Sequence, residues 1–303
     1  MADLSVSIAG VEFSNPIIAA SGTIGFGHEY GELYPLSVFG GISCKGTTLK
    51  ERPGNPPPRI AETPMGMLNA VGLQNPGAEH FINVELPWLK KQNTVVIANA
   101  AGSTESDYCE ITELLSDTDV DMIELNISCP NVKAGGAQFG TSPESVEKIT
   151  SAVRRYCKKP LIIKLSPNVA DIAAVAKAAE SAGADAVSLI NTLAGMRIDI
   201  NTRRPIIRNI TGGMSGPAVF PVAVRMVYQV KKAVKIPVIG LGGISTWKDA
   251  VEMMMAGADA IQIGTILFTD PYAPVKISEG LHGWLDTHDM KSVTELTAAV
   301  ITD

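Results

Sequence analysis

None of the four cysteines, Cys44, Cys109, Cys129 and Cys157, stands in a CxxC pair. That spacing argues against an iron–sulfur cluster or a zinc site held by this chain alone. A disulfide framework is not expected in a chain of this size and type, so each thiol is expected to be free. Charge is scarce too: 18% of the residues are Asp, Glu, Lys or Arg, and the net charge is -6. The basic clusters of a nucleic-acid binder are missing, since "LKKQ" and "NTRRPIIRN" are short. No stretch approaches ~20 uninterrupted apolar residues, so no membrane span is predicted. No basic region followed by an apolar run opens the chain, so no signal peptide is predicted. A cytoplasmic protein with no bound metal is the expectation.

What is present points to a large buried core. The 303 residues are 46% hydrophobic, with mean hydropathy +0.17 and an isoelectric point near 5.3. "LSVSIAGVEFSNP" alternates on both sides of Ala9-Gly10 and predicts a β-hairpin. Eight short runs follow, at 16–20, 39–44, 94–100, 121–126, 160–166, 186–191, 236–242 and 260–265. They are apolar throughout rather than alternating, as suits parallel strands covered on both faces. Helical patterns separate the later ones. "VADIAAVAKAAESAG" stops at Gly183 and "TWKDAVEMMMAG" at Gly257, and the three methionines read as core filling. "AGADAVSLI" (182–190) recurs as "AGADAIQIG" (256–264), a repeated helix–turn–strand unit. Eight such strands in about 250 residues, with a hairpin lid, predict a single-domain TIM (β/α)8 barrel over 1–303. A doubly wound open sheet would want GxGxxG after its first strand, and "AASGTIGFG" is a poor version of it. Two long stretches, the proline-rich 51–66 and 191–217, read as βα-loop insertions on the catalytic face.

The strand ends carry chemistry. Ser21-Gly22-Thr23, Lys45-Gly46-Thr47-Thr48, Asn99, Asn126, Lys164 and Asn191-Thr192 collect two lysines, three asparagines and several hydroxyls at one rim. A barrel needs none of these for stability, so a polar ligand site is predicted. The turns at Gly242-Gly243 and Gly264-Thr265 close strands seven and eight, where such barrels bind phosphate, and Gly216 could add a third close backbone approach. Lys164 lies within an apolar strand and calls for an anionic partner. A reduced flavin would serve. A Schiff-base aldolase lysine or a structural ion pair would account for it as well, and a non-catalytic barrel acting as a binding scaffold is a further alternative.

Nine motifs carry a resemblance: "SGTIGFG", "CKGTTLKERPGNPPPRI", "NAVGLQNPG", "ELNISCPN", "IIKLSPN", "INTL", "GGMSGPA", "GLGGI" and "QIGT". From hairpin to last helix, the chain resembles the class 1 dihydroorotate dehydrogenases. That resemblance implies an FMN-containing barrel that oxidises dihydroorotate to orotate in pyrimidine synthesis. By position, Ser21, Lys45, Gly46, Asn99, Asn126, Lys164, Ile190, Gly216, Gly242, Gly243, Gly264 and Thr265 would hold FMN. Lys45, Asn69, Ala70, Val71, Gly72, Leu73, Asn126, Asn191 and Thr192 would hold the substrate. Cys129 would be the base, and Lys45 is also expected to be catalytic. The membrane-bound class 2 enzymes use serine in place of that cysteine.

This gives "NISCPNVKAGGAQFG" a purpose. Dihydroorotate must lose a proton from C5 and a hydride from C6, and a thiolate with a reference pKa near ~8.5 can take the proton. Pro130 fixes the adjoining backbone, and Gly135, Gly136 and Gly140 would let the loop open and close. Cys44 and Cys157 read instead as small buried apolar residues, and Cys109 has no comparable setting. The electron acceptor divides the family. Class 1A homodimers use fumarate. Class 1B enzymes pass electrons to a partner subunit carrying FAD and a 2Fe-2S cluster, two of each chain per heterotetramer, and thence to NAD. "ANAAGSTESDY" and the 41–60 stretch resemble class 1B more closely. The pyrimidine-reducing domain of dihydropyrimidine dehydrogenase is a related alternative. An apolar patch near the flavin edge is expected where a partner's cluster would approach.

Overall fold

The computed structural model describes residues 2–127 and 139–302. All eight apolar runs form strands, and these close into one parallel barrel in chain order: β3 (Ile17–Ala19), β4 (Gly41–Ser43), β7 (Val95–Ala100), β8 (Met122–Asn126), β9 (Leu161–Lys164), β10 (Ala186–Leu189), β15 (Val238–Leu241) and β16 (Ala260–Ile263). In the later strands every residue is buried, as burial on both faces requires. Outside lie α1 (Glu105–Ser116), α2 (Pro143–Arg154), α3 (Ile172–Ser181), α4 (Phe220–Lys231), α5 (Trp247–Met255) and α6 (Ala273–Thr287). Local chemistry starts several of them. Thr104 and Asp107 form a capping box at α1, Thr246 and Asp249 another at α5, and the Asp171 side chain caps α3. Met253 and Met254 are fully buried on α5, so the methionine run is core.

The hairpin pairs β1 (Val6–Ile8) with β2 (Val11–Phe13). Ala9 and Gly10 turn it with φ of 51° and 81°, the left-handed pair that matches strand twist. It sits at the N-terminal end of the barrel. The Phe13 ring packs on Gly41 at the start of β4, and Ala9 lies with Pro160 and Asp185, which precede β9 and β10.

The same end carries one clamp three times. Asp121 accepts from the backbone N–H of Val96 (2.8 Å) and from Lys90 Nζ (2.8 Å). Asp185 accepts from Leu161 N–H (2.8 Å) and Arg154 Nη1 (2.6 Å). Asp259 accepts from Val238 N–H (2.8 Å) and Lys231 Nζ (2.7 Å). The second and third of these are the aspartates of the two "AGAD" repeats. Each ties an N–H at the start of one strand, on its first or second residue, to the next strand's entry and to a basic residue that precedes the first of the two strands.

At the opposite end the two insertions, distant in sequence, fold together. β5 (Ile60–Thr63), β6 (Gly66–Asn69), β11 (Leu193–Met196) and β14 (Thr211–Ser215) make an antiparallel sheet in the order β11-β14-β6-β5. Between β11 and β14 the chain projects a small ribbon, β12 (Ile198–Asp199) with β13 (Arg204–Pro205).

Candidate active site

The barrel's C-terminal end and the antiparallel sheet enclose a cavity of about 240 Å³. Each predicted group among the described residues can be placed against it. Ser21 follows β3, Lys45 follows β4, Asn126 ends β8, and Lys164 ends β9. Ile190, Asn191 and Thr192 follow β10, reached through a cis peptide between Leu189 and Ile190. Asn69 ends β6, and Val71, Gly72 and Leu73 run on from it. Gly216 follows β14, Gly242 and Gly243 follow β15, and Gly264 and Thr265 follow β16. All of these line the cavity. Three predicted residues do not. Gly46 lies beneath the wall, where a Cβ would stand 3.0 Å from Asn99 Oδ1 and 3.3 Å from Leu73 Cδ2. Asn99 and Ala70 are fully buried. Cys129 lies outside the described residues, as do Pro130, Gly135 and Gly136. Cys44 and Cys157 are buried. Burial pushes the Cys44 thiol far up, which makes it inert at ordinary pH.

The lining is polar in a particular way. Among the described residues, its charged groups are Lys45 and Lys164, both cationic, and no acid is part of the lining itself. Around them stand amides and hydroxyls. Asn191 Nδ2 is 3.5 Å from Asn126 Oδ1, Asn69 Nδ2 is 3.4 Å from the Gly213 carbonyl, and Thr265 donates to Ser215 Oγ at 2.8 Å. Behind Asn126, Tyr108 OH donates to its carbonyl at 2.7 Å, with the Tyr108 ring edge-on to Phe139. On another side the wall is bare backbone. Gly243 has φ +80°, and a Cβ there would meet Phe220 N at 2.8 Å and the Gly216 carbonyl at 2.9 Å. Only glycine fits, so the β15 turn and the Gly216 turn press together without side chains between them. Such a surface lets backbone N–H groups approach a phosphate closely.

The floor holds what sequence reasoning missed. Glu124, inside β8, is fully buried, and Gln262 of β16 shares the floor with Lys164. Lys164 Nζ stands 3.8 Å from Glu124 Oε2 and 3.5 Å from Gln262 Oε1. The anionic partner that a buried lysine requires is therefore supplied within the chain. What points Lys164 toward a ligand is its place on the lining. Burial pushes the Glu124 carboxyl up, but the Lys164 ammonium and hydrogen bonds from Ser43, Ser188 and Gln262 outweigh it and hold the acid below the usual carboxylate range. Asn99 donates to the same carboxylate at 2.7 Å, while its Oδ1 is buried with no partner among the described residues. Two cations and a glycine cradle on the lining fit a flat phosphate-bearing cofactor together with an anionic substrate. The signal for Glu124 was an acid between the apolar residues of "MIEL".

A parallel barrel with a cationic, glycine-cradled mouth defines a (β/α)8 enzyme for anionic ligands. The chain belongs to the dihydroorotate dehydrogenase family: the profile of that family, described as "Dihydroorotate dehydrogenase", matches residues 3–285. Among curated relatives, a protein of Bacteroides fragilis is 56% identical over 301 residues, 99% of each chain. One of Alkaliphilus metalliredigens is 53% identical, covering 98% of this chain and 99% of its own. One of Caldicellulosiruptor saccharolyticus is 54% identical over the same shares. All three are named "Dihydroorotate dehydrogenase B (NAD(+)), catalytic subunit".

Proposed function

We propose that this chain is the catalytic subunit of a class 1B dihydroorotate dehydrogenase. It oxidises dihydroorotate to orotate in pyrimidine synthesis and passes the electrons through a partner subunit to NAD. The observation that carries this reading is the cavity whose charged lining groups, among the described residues, are Lys45 and Lys164. The substrate's carboxylate and the cofactor's phosphate are both anions, and each needs a cation or a cradle of N–H groups.

FMN, when bound, supplies a two-electron acceptor for the hydride leaving C6. The chain's own residues do the rest. The turns at Gly216, Gly242, Gly243, Gly264 and Thr265 hold the phosphate. Lys45, with Asn69, Asn126, Asn191 and Thr192, orients the substrate carboxylate and ring edge, a positioning role that such bidentate amides perform well. Leu73, held at φ +58°, closes one side of the pocket with Val71 and Gly72. Cys129 takes the C5 proton, a role that rests on the resemblance of "ELNISCPN" alone.

The partner carries FAD and a 2Fe-2S cluster in a heterotetramer of two subunits of each kind. A half-exposed apolar face beside the cavity supports a docking site there. Phe268, which lines the cavity, Tyr272 and Leu33 are each roughly half exposed, and the Tyr272 ring lies 5.8 Å from that of Tyr34. No helix among the described residues is long and apolar enough to cross a membrane. The test is a purified chain with dihydroorotate as donor. It should show a flavin spectrum, reduce artificial dyes, and form NADH only when the electron-transfer subunit is added. Rapid NADH formation without that subunit, or efficient fumarate reduction, would overturn the class 1B reading. A colourless protein that borohydride traps on a carbonyl substrate at Lys164 would replace it with an aldolase.

A further inference from the structure

The cavity floor rests on one carboxylate that the lining conceals. Glu124 Oε1 accepts from Ser188 Oγ at 2.7 Å and from Gln262 Nε2 at 2.9 Å. Its Oε2 accepts from Ser43 Oγ at 2.6 Å and from Asn99 Nδ2 at 2.7 Å. A carboxylate offers about four lone-pair sites, and here neutral donors from four different strands occupy them. Lys164 is the odd member. At 3.8 Å its ammonium is outside hydrogen-bond range of Oε2, and its 3.5 Å contact with Gln262 Oε1 is long. The two groups therefore meet as charges rather than as a hydrogen-bonded pair. Glu124 does not need the ammonium to satisfy its lone pairs, and Lys164 makes one long contact, to Gln262, while it lines the cavity. The other charged group on the described lining is Lys45, also positive. Glu124 is the one negative charge built under this floor among the described residues.

We infer that Glu124 is a positioning residue for the redox step: a fixed counter-charge that cancels Lys164 through space and so sets how strongly the floor favours an anionic reduced ring. The inference rests on the FMN reading above. Structure alone would not require a charge here, because neutral amides and hydroxyls could knit the same four strands at less desolvation cost. The arrangement makes sense as an electrostatic setting, with neutral donors pinning the carboxylate so that its charge cannot move toward the lysine.

The test is the midpoint potential of bound FMN in the wild type, Glu124→Gln, Lys164→Met and the double variant, with thermal stability followed in parallel. Glu124→Gln should shift the potential positive, favouring reduced over oxidised FMN by on the order of tenfold. Lys164→Met should shift it negative, and the double variant should return toward the wild type. An unchanged potential in Glu124→Gln, with only a loss of stability, overturns the inference, and so does a negative shift. Where Glu124→Gln does not fold, Lys164→Met decides on the apoprotein. By infrared difference spectroscopy, the carbonyl stretch of protonated Glu124 should appear at higher pH than in the wild type. No difference between the two would overturn the inference. That arm needs no flavin. A chain that takes up no FMN would defeat the proposed function, while the infrared arm still decides whether the two charges are coupled.

Discussion

The two ends of the barrel spend the same residue types differently. At the N-terminal end, Lys90, Arg154 and Lys231 each meet an aspartate at 2.6–2.8 Å, and that aspartate also takes a strand's N–H. At the C-terminal end, Lys45 and Lys164 face a cavity lined with amides, hydroxyls and glycine, with no acid on the described lining. The difference lies in where the opposing charge is kept. Below, it is in contact and saturates the cation. Above, it is withheld beneath the floor at 3.8 Å from Lys164. One end is arranged for holding the fold and the other for holding something else, in keeping with the division between the two faces of such barrels.

That contrast can be broken from either side. The largest effect should come from Cys129→Ala, which removes the proposed base. Dihydroorotate oxidation should fall by roughly 10²–10⁴-fold while flavin content and melting temperature hold. Full activity in a stopped-flow reduction assay would remove Cys129 from the mechanism. Lys45→Ala should cost about ten- to a hundredfold in kcat/KM, the worth of one hydrogen bond to a charged group, again with little change in stability. A large drop in denaturation midpoint instead would make Lys45 a structural residue and erase the contrast. Asp259→Ala should do the reverse. Losing the clamp on Val238 and Lys231 should cost about 1–3 kcal/mol in chemical denaturation, with kcat unchanged in the folded fraction. The smallest effect should come from Gly10→Ala. Nothing lies within 4 Å of the added Cβ, so only the positive φ of +81° is penalised, by about 1 kcal/mol. A cost well above that would mean the hairpin does more than cover the lower end.

Sequence pattern and structure agree where one segment's own residues decide the outcome. The eight apolar runs, the glycine stops at 183 and 257 and the Ala9-Gly10 turn are local signals, and each is found where it was expected. The antiparallel sheet was not legible. Residues 51–66 and 191–217 read as two separate loops, yet the first supplies β5 and leads into β6, where Leu68 pairs with Met214 and Asn69 with Gly213. "TGGMS" has no alternation to announce a strand, and a partner so distant in sequence leaves no trace in either segment. The candidate site shows the same limit. Its rim residues sit at strand ends and could be counted from the pattern. The Glu124 network could not, because Ser43, Asn99, Ser188 and Gln262 each look like an ordinary polar residue until closure of the barrel brings four strands onto one carboxylate. Gly46, Asn99 and Ala70 lie behind the described lining rather than on it.

The three aspartate clamps bear on how the chain reaches this shape. Their basic and acidic partners are 31, 31 and 28 residues apart. Each therefore closes over about one strand–helix unit, a short loop in entropic terms. Contacts of that range can form before the first and last strands meet, so the clamps favour stepwise growth of the sheet over a single long-range search. Barrel closure, through β16 against β3, joins Ile261 to Ile17 and has no clamp of this kind among the described residues. In a pulse-labelled hydrogen-exchange experiment, amides of the clamped strands β7, β9 and β15 should gain protection before those of β3.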